Sequence, residues 1–494
     1  MMKTGAVAHF GTFDVPNFGD LLFPLVLQRR MADLDLEFLH VSPNGGAAVW
    51  DDCVPSYSVE SVLENSSNIS AALVGGGNIV HASPTVLELY DRGGSSAVTA
   101  YPSLWLAPML LAACHRIPCA WNAPGVPGDF TPAGAELVRR AASQASYVAV
   151  RDRSSVARLL RAGVEKPIEL VPDTALDVAN LWSQAELEAA FVDAFAARGK
   201  PVPRQTIAFH LGRRYAAEAP LALARLIDRI AAEHGATPIL LALGPCHGDD
   251  LVQRQVGGLM ESEPLVVDRP RSLREVVACI SHSRAFIGSS LHGVVSASAF
   301  GIRSLAIIPE RAGAFSKFAG FLEAFQLERW RCSSWTEAVV LVDPFLAAPP
   351  EPWSRVPVAA APVLERHWTR IVEVVASTSR HDESGPTQHK PSGDPLPTLA
   401  ILVAPLVAEQ AAAAPRLRRR LVDEEERRAK LDRGHMKELD ELRSAINAER
   451  ARATATIRDL NEEVRTARAE AVVERERADT AATALKVAEG RAQE

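Results

Sequence analysis

Ala285-Phe286-Ile287-Gly288-Ser289-Ser290-Leu291-His292-Gly293 changes character twice within nine residues. Ala285 to Ile287 is a short apolar run without polar alternation, as in a strand covered on both faces. Gly288-Ser289-Ser290 supplies a turn and a hydroxyl of the kind that caps helices. From Leu291 to Phe300 the chain is rich in Ala, Ser and Val and reads as a helix. A strand running through a tight turn into a helix is the unit of a parallel α/β sheet. Here it sets two hydroxyls and an imidazole at a strand's C-terminal end, where open sheets bind their ligands.

The same unit recurs on either side. Downstream of residue 204 it is joined by strands at Thr206 to His210, Pro238 to Leu243, Leu265 to Val267 and Ser304 to Ile308, with helices from Leu221 to His234 and Ser272 to Ser281. Upstream, an earlier series begins with a strand at Ala6 to Phe10, the loop Asn17-Phe18-Gly19-Asp20 and a helix from Leu21 to Met31. It continues with Ala71 to Val74 running into Gly75-Gly76-Gly77, a helix at Leu104 to Cys114, and strands near Pro118 to Ala123, Tyr147 to Val150 and Ile168 to Val171. Two series of this kind predict an α/β protein of two doubly wound, Rossmann-like domains. The expected boundaries are 1–181 for the first domain, 182–203 for a connector, and 204–380 for the second domain with a closing helix near Val363 to Ser377.

Composition agrees with a folded chain: hydrophobic residues make up 47% and charged residues 23% of the 494, close to soluble globular averages. The formal charge of -7 gives no electrostatic case for nucleic acid, so an anionic ligand must be held by local groups. Cys53, Cys114, Cys119, Cys246, Cys279 and Cys332 form no CxxC pair and no Cys/His cluster at zinc spacing, and neither a disulfide framework nor a metal site is expected. The first residues turn polar too soon for a secretory signal. The longest apolar runs, Leu106 to Cys114 and Leu399 to Ala408, fall short of the roughly 20 residues of a spanning helix. The expected location is the cytoplasm.

Residues 381–397 are polar and rich in Pro, Ser, Gly and Asp, the composition of a disordered linker. Residues 398–494 are expected to form a charged helical or coiled-coil tail. Leu439, Leu442, Ile446, Ala453, Leu460 and Ala467 follow an approximate a/d spacing interrupted by Glu449, Thr456 and Glu463. Self-association or tethering to a partner protein is the role expected of it, and its removal is expected to leave the core folded.

Three glycine-containing turns fall at predicted strand ends. Asn17-Phe18-Gly19-Asp20 opens a helix, where backbone N–H groups favour an anion. Gly75-Gly76-Gly77-Asn78 lets the backbone approach a ligand closely, and it is not a dinucleotide fingerprint. The third, with Ser289, Ser290 and His292, carries the strongest signal, because an imidazole there exchanges protons near neutral pH. Arg151, just past Tyr147 to Val150, offers a fork for carboxylate or phosphate, or a structural bridge to Asp152 or Asp173. Arg213, Arg214 and Lys317 add positive charge near the expected cleft. His210 and His247 are weaker candidates, and Asp249-Asp250 most simply cap the helix that follows.

Taken in order, Asn17-Phe18-Gly19-Asp20, Leu73-Val74-Gly75-Gly76-Gly77-Asn78, Val150-Arg151-Asp152 with Ser154-Ser155, Val171-Pro172-Asp173 and Gly288-Ser289-Ser290-Leu291-His292-Gly293 resemble the polysaccharide pyruvyl transferase family over about residues 5–325. The resemblance implies a glycosyltransferase-B-like fold with the site between two facing domains. It also implies transfer of a pyruvyl group from phosphoenolpyruvate, the donor substrate, to two hydroxyls of a sugar of a surface or exopolysaccharide precursor, forming a ketal, with no separate cofactor. Carried over by position, His292 is the candidate general acid and Arg151 the anion clamp, and Asp20 or Asp173 orients the acceptor or acts as base. Asn17, Gly19, Gly76, Gly77, Asn78, Asp173, Arg213, Ser289, Ser290 and Lys317 are the candidate substrate-binding residues. The family commonly has Arg-Leu-His where this chain has Ser290-Leu291-His292, so the missing cation has to come from elsewhere, with Arg303, Arg213 and Lys317 as candidates. The acceptor class allows a membrane-associated glycan. Two other readings share the fold: a glycosyltransferase using a nucleotide sugar, with its diphosphate at Gly244-Pro245 and the Gly288 loop, and a non-catalytic protein that binds a glycan or anion.

Overall fold

The computed structural model describes residues 5–85, 87, 89–90, 96–213, 219–308, 314–377 and 395–409. Arg214, most of the expected linker and the heptad-like part of the tail lie outside the described residues.

The first sheet is built from β1 (Ala6–Phe10), β2 (Phe38–Ser42), β3 (Tyr57–Ser58), β4 (Ile69–Val74), β5 (Cys119–Trp121), β6 (Tyr147–Val150) and β7 (Glu169–Leu170), in the order β3-β2-β1-β4-β5-β6-β7. The second contains β8 (Thr206–His210), β9 (Thr237–Leu241), β10 (Leu265–Val267), β11 (Ala285–Gly288), β12 (Arg303–Ile307) and β13 (Arg331–Cys332), ordered β10-β9-β8-β11-β12-β13. Every pairing in both sheets is parallel. Each sheet therefore winds outward from its first strand in both directions, and its order reverses between β1 and β4 or between β8 and β11. Those reversals open crevices at the strand C-termini. This is the two-domain, glycosyltransferase-B-like arrangement expected from the sequence.

The central strands β1, β8 and β11 are buried along their whole length, which explains their unalternated apolar sequence. The strand β2 was not expected, because His40 interrupts its apolar run. In the fold His40 is buried and its Nδ1 lies 3.2 Å from Nδ1 of His9 on β1, while its Nε2 lies 3.1 Å from Gln28 Nε2. Two helices outrun their sequence signals. Ser96–His115 contains Pro102 and Pro108, and Glu351–Ala376 contains Pro357 and Pro362, residues that usually end a helix.

The two sheets are joined by more than the connector. Phe18 N donates to Leu243 O at 2.8 Å, and Asp52 accepts from the backbone N–H groups of Leu273 and Arg274 at the start of the Leu273–Ser281 helix. Within the expected connector, the helix Gln184–Ala196 carries a full capping box at Ser183 and Glu186, and Arg198 beyond it pairs with Glu275 on the second domain at 2.7 Å. The Glu351–Ala376 helix reaches back to the first sheet. There His367 Nδ1 meets Tyr147 Oη at 3.0 Å, His367 Nε2 meets Asn122 Oδ1 at 2.8 Å, and Trp368 Nε1 donates to Asp177 at 2.6 Å.

Residues 395–409 form a further helix on the first domain. Leu399, Val403 and Leu406 are buried in the same apolar cluster as Leu104, Leu111, Leu137 and Val138, and Glu409 accepts from Ala133 N at 3.2 Å. The start of the expected tail is thus part of the core's cover, because the run Leu399 to Ala408 has an apolar face to bury. No helix among the described residues is long and apolar enough to cross a membrane.

Candidate active site

A cavity of about 180 Å³ lies where the two crevices face each other. Thr12, Asn17 and Asp20 line it from beyond β1, Asn78 and Ile79 from beyond β4, and Arg151 from beyond β6. From the second domain come His210 and Gly212 after β8, Leu243, Gly244, His247 and Asp249 after β9, and Ser289 through His292 after β11. Tyr101 and Lys317 complete the wall.

On the first-domain side Arg151 is buried, with its fork fixed at two points. Nη1 donates to Asp173 Oδ2 at 2.9 Å and Nη2 to Asn78 Oδ1 at 2.7 Å. Its Nε has no hydrogen-bond partner among the described residues. Gly125 leaves room for this arrangement, since a Cβ there would lie 2.9 Å from Arg151 Nε. Asp173 caps the short helical segment Thr174–Asn180 through Ala175 N and has His292 Nε2 at 3.7 Å from its Oδ2. Burial pushes the Asp173 carboxyl up, but Arg151 and His292 outweigh it and hold the group well below the usual carboxylate range. Asp173 is therefore a fixed anion that orients Arg151 and His292, and a weak base.

His292 sits in the first turn of the helix Leu291–Ala299, whose N-cap is Ser290, with Oγ accepting from Gly293 N at 3.3 Å. Its ring meets Phe23 edge-on at a centroid distance of 5.6 Å and rests on Gly19, where any Cβ would overlap the imidazole. Its Nε2 is buried without a hydrogen-bond partner among the described residues. Asp20, half-buried beside it, has its carboxyl raised by burial against the opposing pull of His292, Thr12, Arg151 and Lys317. A raised carboxyl next to an imidazole suits proton transfer better than Asp173 does.

The structure thus brings together Asn17, Asp20, Asn78, Arg151, Ser289, Ser290, His292 and Lys317 on one cavity, with Asp173 directly behind Arg151. Gly19 and Gly76 shape the wall by admitting His292 and Phe23, and Gly77 adopts a positive φ of 86° beside Asp20. Arg213 is not brought in: its side chain is exposed along Gly248, and it serves the site through its backbone N–H, which donates to Asp249 at 3.0 Å. Arg303 is likewise turned away, donating twice to Ala348 O. Lys317 is the candidate left to supply the cation that Ser290 does not. Asp249 does not cap its helix. Gly248 holds the N-cap position with φ 77°, which frees the Asp249 carboxylate to meet His210. Thr12 and Tyr101 were not anticipated. Tyr101 lies on the Ser96–His115 helix, inside a sequence stretch that its prolines had disguised.

Among the described residues, no group of three or more His, Cys, Asp and Glu side chains is placed to share a metal ion. Arg151 and Lys317 suit an anion, and the neighbouring hydroxyl, amide and carboxylate groups suit a polyol.

Solved structures similar to this chain include S. aureus MnaA bound to UDP, at 13% identity over 78% of this chain and 99% of that one with a TM-score of 0.48. The UDP-GlcNAc 2-epimerase of Methanocaldococcus jannaschii gives 12% identity, 75% and 99% coverage and a TM-score of 0.49. No curated protein sequence matches the chain. The polysaccharide pyruvyl transferase family model matches residues 17–311, a span that includes Asn17, Asp20, Arg151, Asp173 and His292. With more than half of its 494 residues inside that match, the chain belongs to the polysaccharide pyruvyl transferase family and is a transferase.

Proposed function

We propose that the protein transfers the pyruvyl group of phosphoenolpyruvate to two hydroxyls of a sugar in a surface-polysaccharide precursor, giving a pyruvate ketal and phosphate. The observation that carries this reading is a pair of buried nitrogens on facing sides of one cavity, Arg151 Nε and His292 Nε2, which have no hydrogen bond among the described residues and only a more distant carboxylate each, Asp152 Oδ2 at 3.8 Å and Asp173 Oδ2 at 3.7 Å. Buried polar atoms without partners are uncommon in native proteins and mark places where a ligand completes the bonding.

The chemistry assigns the groups. Phosphoenolpyruvate is a compact trianion, and Arg151, pre-oriented by Asp173 and Asn78, meets its carboxylate or phosphate, with Lys317 and the N-terminus of the Leu291–Ala299 helix adding positive potential. His292 delivers a proton to the methylene carbon. The cation that develops at C2 is then attacked by the first acceptor hydroxyl. Phosphate leaves with the C–O electron pair, and the second hydroxyl closes the ketal. Asp20 shuttles protons beside His292. Since Asp173 stays ionised, it stabilises the protonated imidazole electrostatically.

The test is ligand-dependent melting of the purified protein. Phosphoenolpyruvate should raise the Tm, because it binds only the folded state, and Arg151→Gln should reduce that rise to a small fraction. A Tm that responds to UDP or UDP-sugars and not to phosphoenolpyruvate would reassign the donor to a nucleotide sugar.

A further inference from the structure

Across the cavity from Arg151, the second domain carries three polar side chains that the donor chemistry leaves unused. His210, the last residue of β8, is buried, as are Asp249 and Ser289, and all three line the cavity. His210 Nε2 lies 3.0 Å from Asp249 Oδ2, and His210 Nδ1 lies 3.4 Å from Ser289 Oγ. Ser289 Oγ also accepts from Gly212 N at 2.9 Å.

We propose that Asp249, His210 and Ser289 form a relay that accepts the proton of the attacking sugar hydroxyl, a second proton-handling station separate from His292. The inference rests on the pyruvyl-transfer reading for its substrate.

The hydrogen-bond inventory fixes the direction. An ionised carboxylate only accepts, so the proton in the His210–Asp249 contact belongs to Nε2, and in the neutral imidazole that the relay uses Nδ1 is the acceptor. Asp249 stays ionised: burial pushes its carboxyl up, but the His210 contact and the Arg213 N–H outweigh it and bring it below its ordinary value. Ser289 Oγ has one proton and two lone pairs. The proton faces His210 Nδ1, one lone pair takes the Gly212 N–H, and the second lone pair remains for a hydroxyl donor in the cavity.

The attacking hydroxyl passes its proton to Ser289 Oγ as the Ser289 proton moves to His210 Nδ1, and the sugar oxygen bonds to C2 of the pyruvyl group. The methylene has taken its proton from His292. The proton of the second hydroxyl leaves with the phosphate, and exchange with solvent returns the proton on His210 to His292. Two hydroxyl protons are released, and one each appears in the new methyl group and the phosphate, so the step balances. Ser289 touches the acceptor; His210 and Asp249 act through it as positioning residues. Ser289 precedes the N-cap Ser290 of the helix that carries His292, so the two groups enter the cavity from one short segment of the second domain.

The test has two arms. In the first, nitrogen-15 NMR of histidine-labelled full-length protein should show the His210 tautomer with its proton on Nε2, and Asp249→Asn should disturb that tautomer. In the second, phosphate release from phosphoenolpyruvate is followed with methyl hexopyranosides and UDP-hexoses as acceptor probes. Ser289→Ala and His210→Gln should lower kcat about 10²- to 10⁴-fold with KM for phosphoenolpyruvate within about threefold, while Ser289→Thr, which keeps the hydroxyl, should restore most of the rate. A proton on His210 Nδ1, or a Ser289→Ala variant within about fivefold of the parent kcat, overturns the relay. Absence of both phosphoenolpyruvate-dependent stabilisation and phosphate release in the unaltered protein instead refutes the donor assignment, and the tautomer then still decides whether the relay geometry exists.

Discussion

Gly19 admits no side chain because the His292 imidazole fills the space a Cβ would take. The glycine is therefore a positioning device for the proposed acid, and Gly19→Ala is expected to lower phosphate release from phosphoenolpyruvate by at least about 100-fold, since small misplacements of a reacting group cost that much. Because the collision is with one side chain at the cavity edge, the Tm should change far less than after a large core truncation. Parallel melting and turnover measurements check this. At this scale the sequence was informative where a residue's chemistry and its place at a strand end coincide, as for His292 and Arg151. It was misleading where one residue type serves two roles. Asp249 follows a turn and precedes a helix as a cap would, and only the positive φ of Gly248 turns its carboxylate onto His210. Arg213 looked like a clamp, yet its backbone rather than its guanidinium serves the site.

Among the elements, the strands that are buried on both faces were legible, and Tyr147–Val150, Thr206–His210 and Leu265–Val267 have the observed ends that their apolar runs predict. The strand β2, whose apolar run His40 interrupts in the middle, was not, nor was the N-terminal half of the Glu351–Ala376 helix with its internal prolines. The helix at 395–409 belongs to a third kind: its apolar run was plain, but its partner surface lies more than 250 residues earlier, around Leu137 and Val138. This helix carries a prediction. A chain ending at residue 410 should keep the parent Tm, whereas one ending at 394 uncovers the surface under Leu399, Val403 and Leu406. At roughly 1.5–3 kcal/mol per buried aliphatic side chain, the shorter chain should melt several degrees lower. Equal melting temperatures for the two truncations would contradict the packing described here.

For the whole molecule, three buried histidines link stability to pH. Burial lowers His9 well below its ordinary value, with His40 adding to the shift, and brings His40 to about 4 and His367 to about 3. Each is neutral when folded but protonates in the unfolded chain below about pH 6.5. The unfolded state then binds more protons, so stability falls as pH falls from about 6.5 toward 4, by up to about 1.4 kcal/mol per pH unit for each group. Denaturant titrations at pH 7.5, 6 and 5 should show that loss, and His367→Gln, at the joint between the closing helix and the first sheet, should flatten it. Two domains held by that helix and by the Asp52 contacts present one cavity to two substrates, as a group transfer requires. The most direct test of that account is mass spectrometry of acceptor sugars incubated with the protein and phosphoenolpyruvate. The account predicts an acceptor heavier by one pyruvate less one water, formed in step with phosphate and absent with His292→Ala. Release of phosphate without that adduct, or transfer of a hexose from a UDP-sugar in its place, would contradict it.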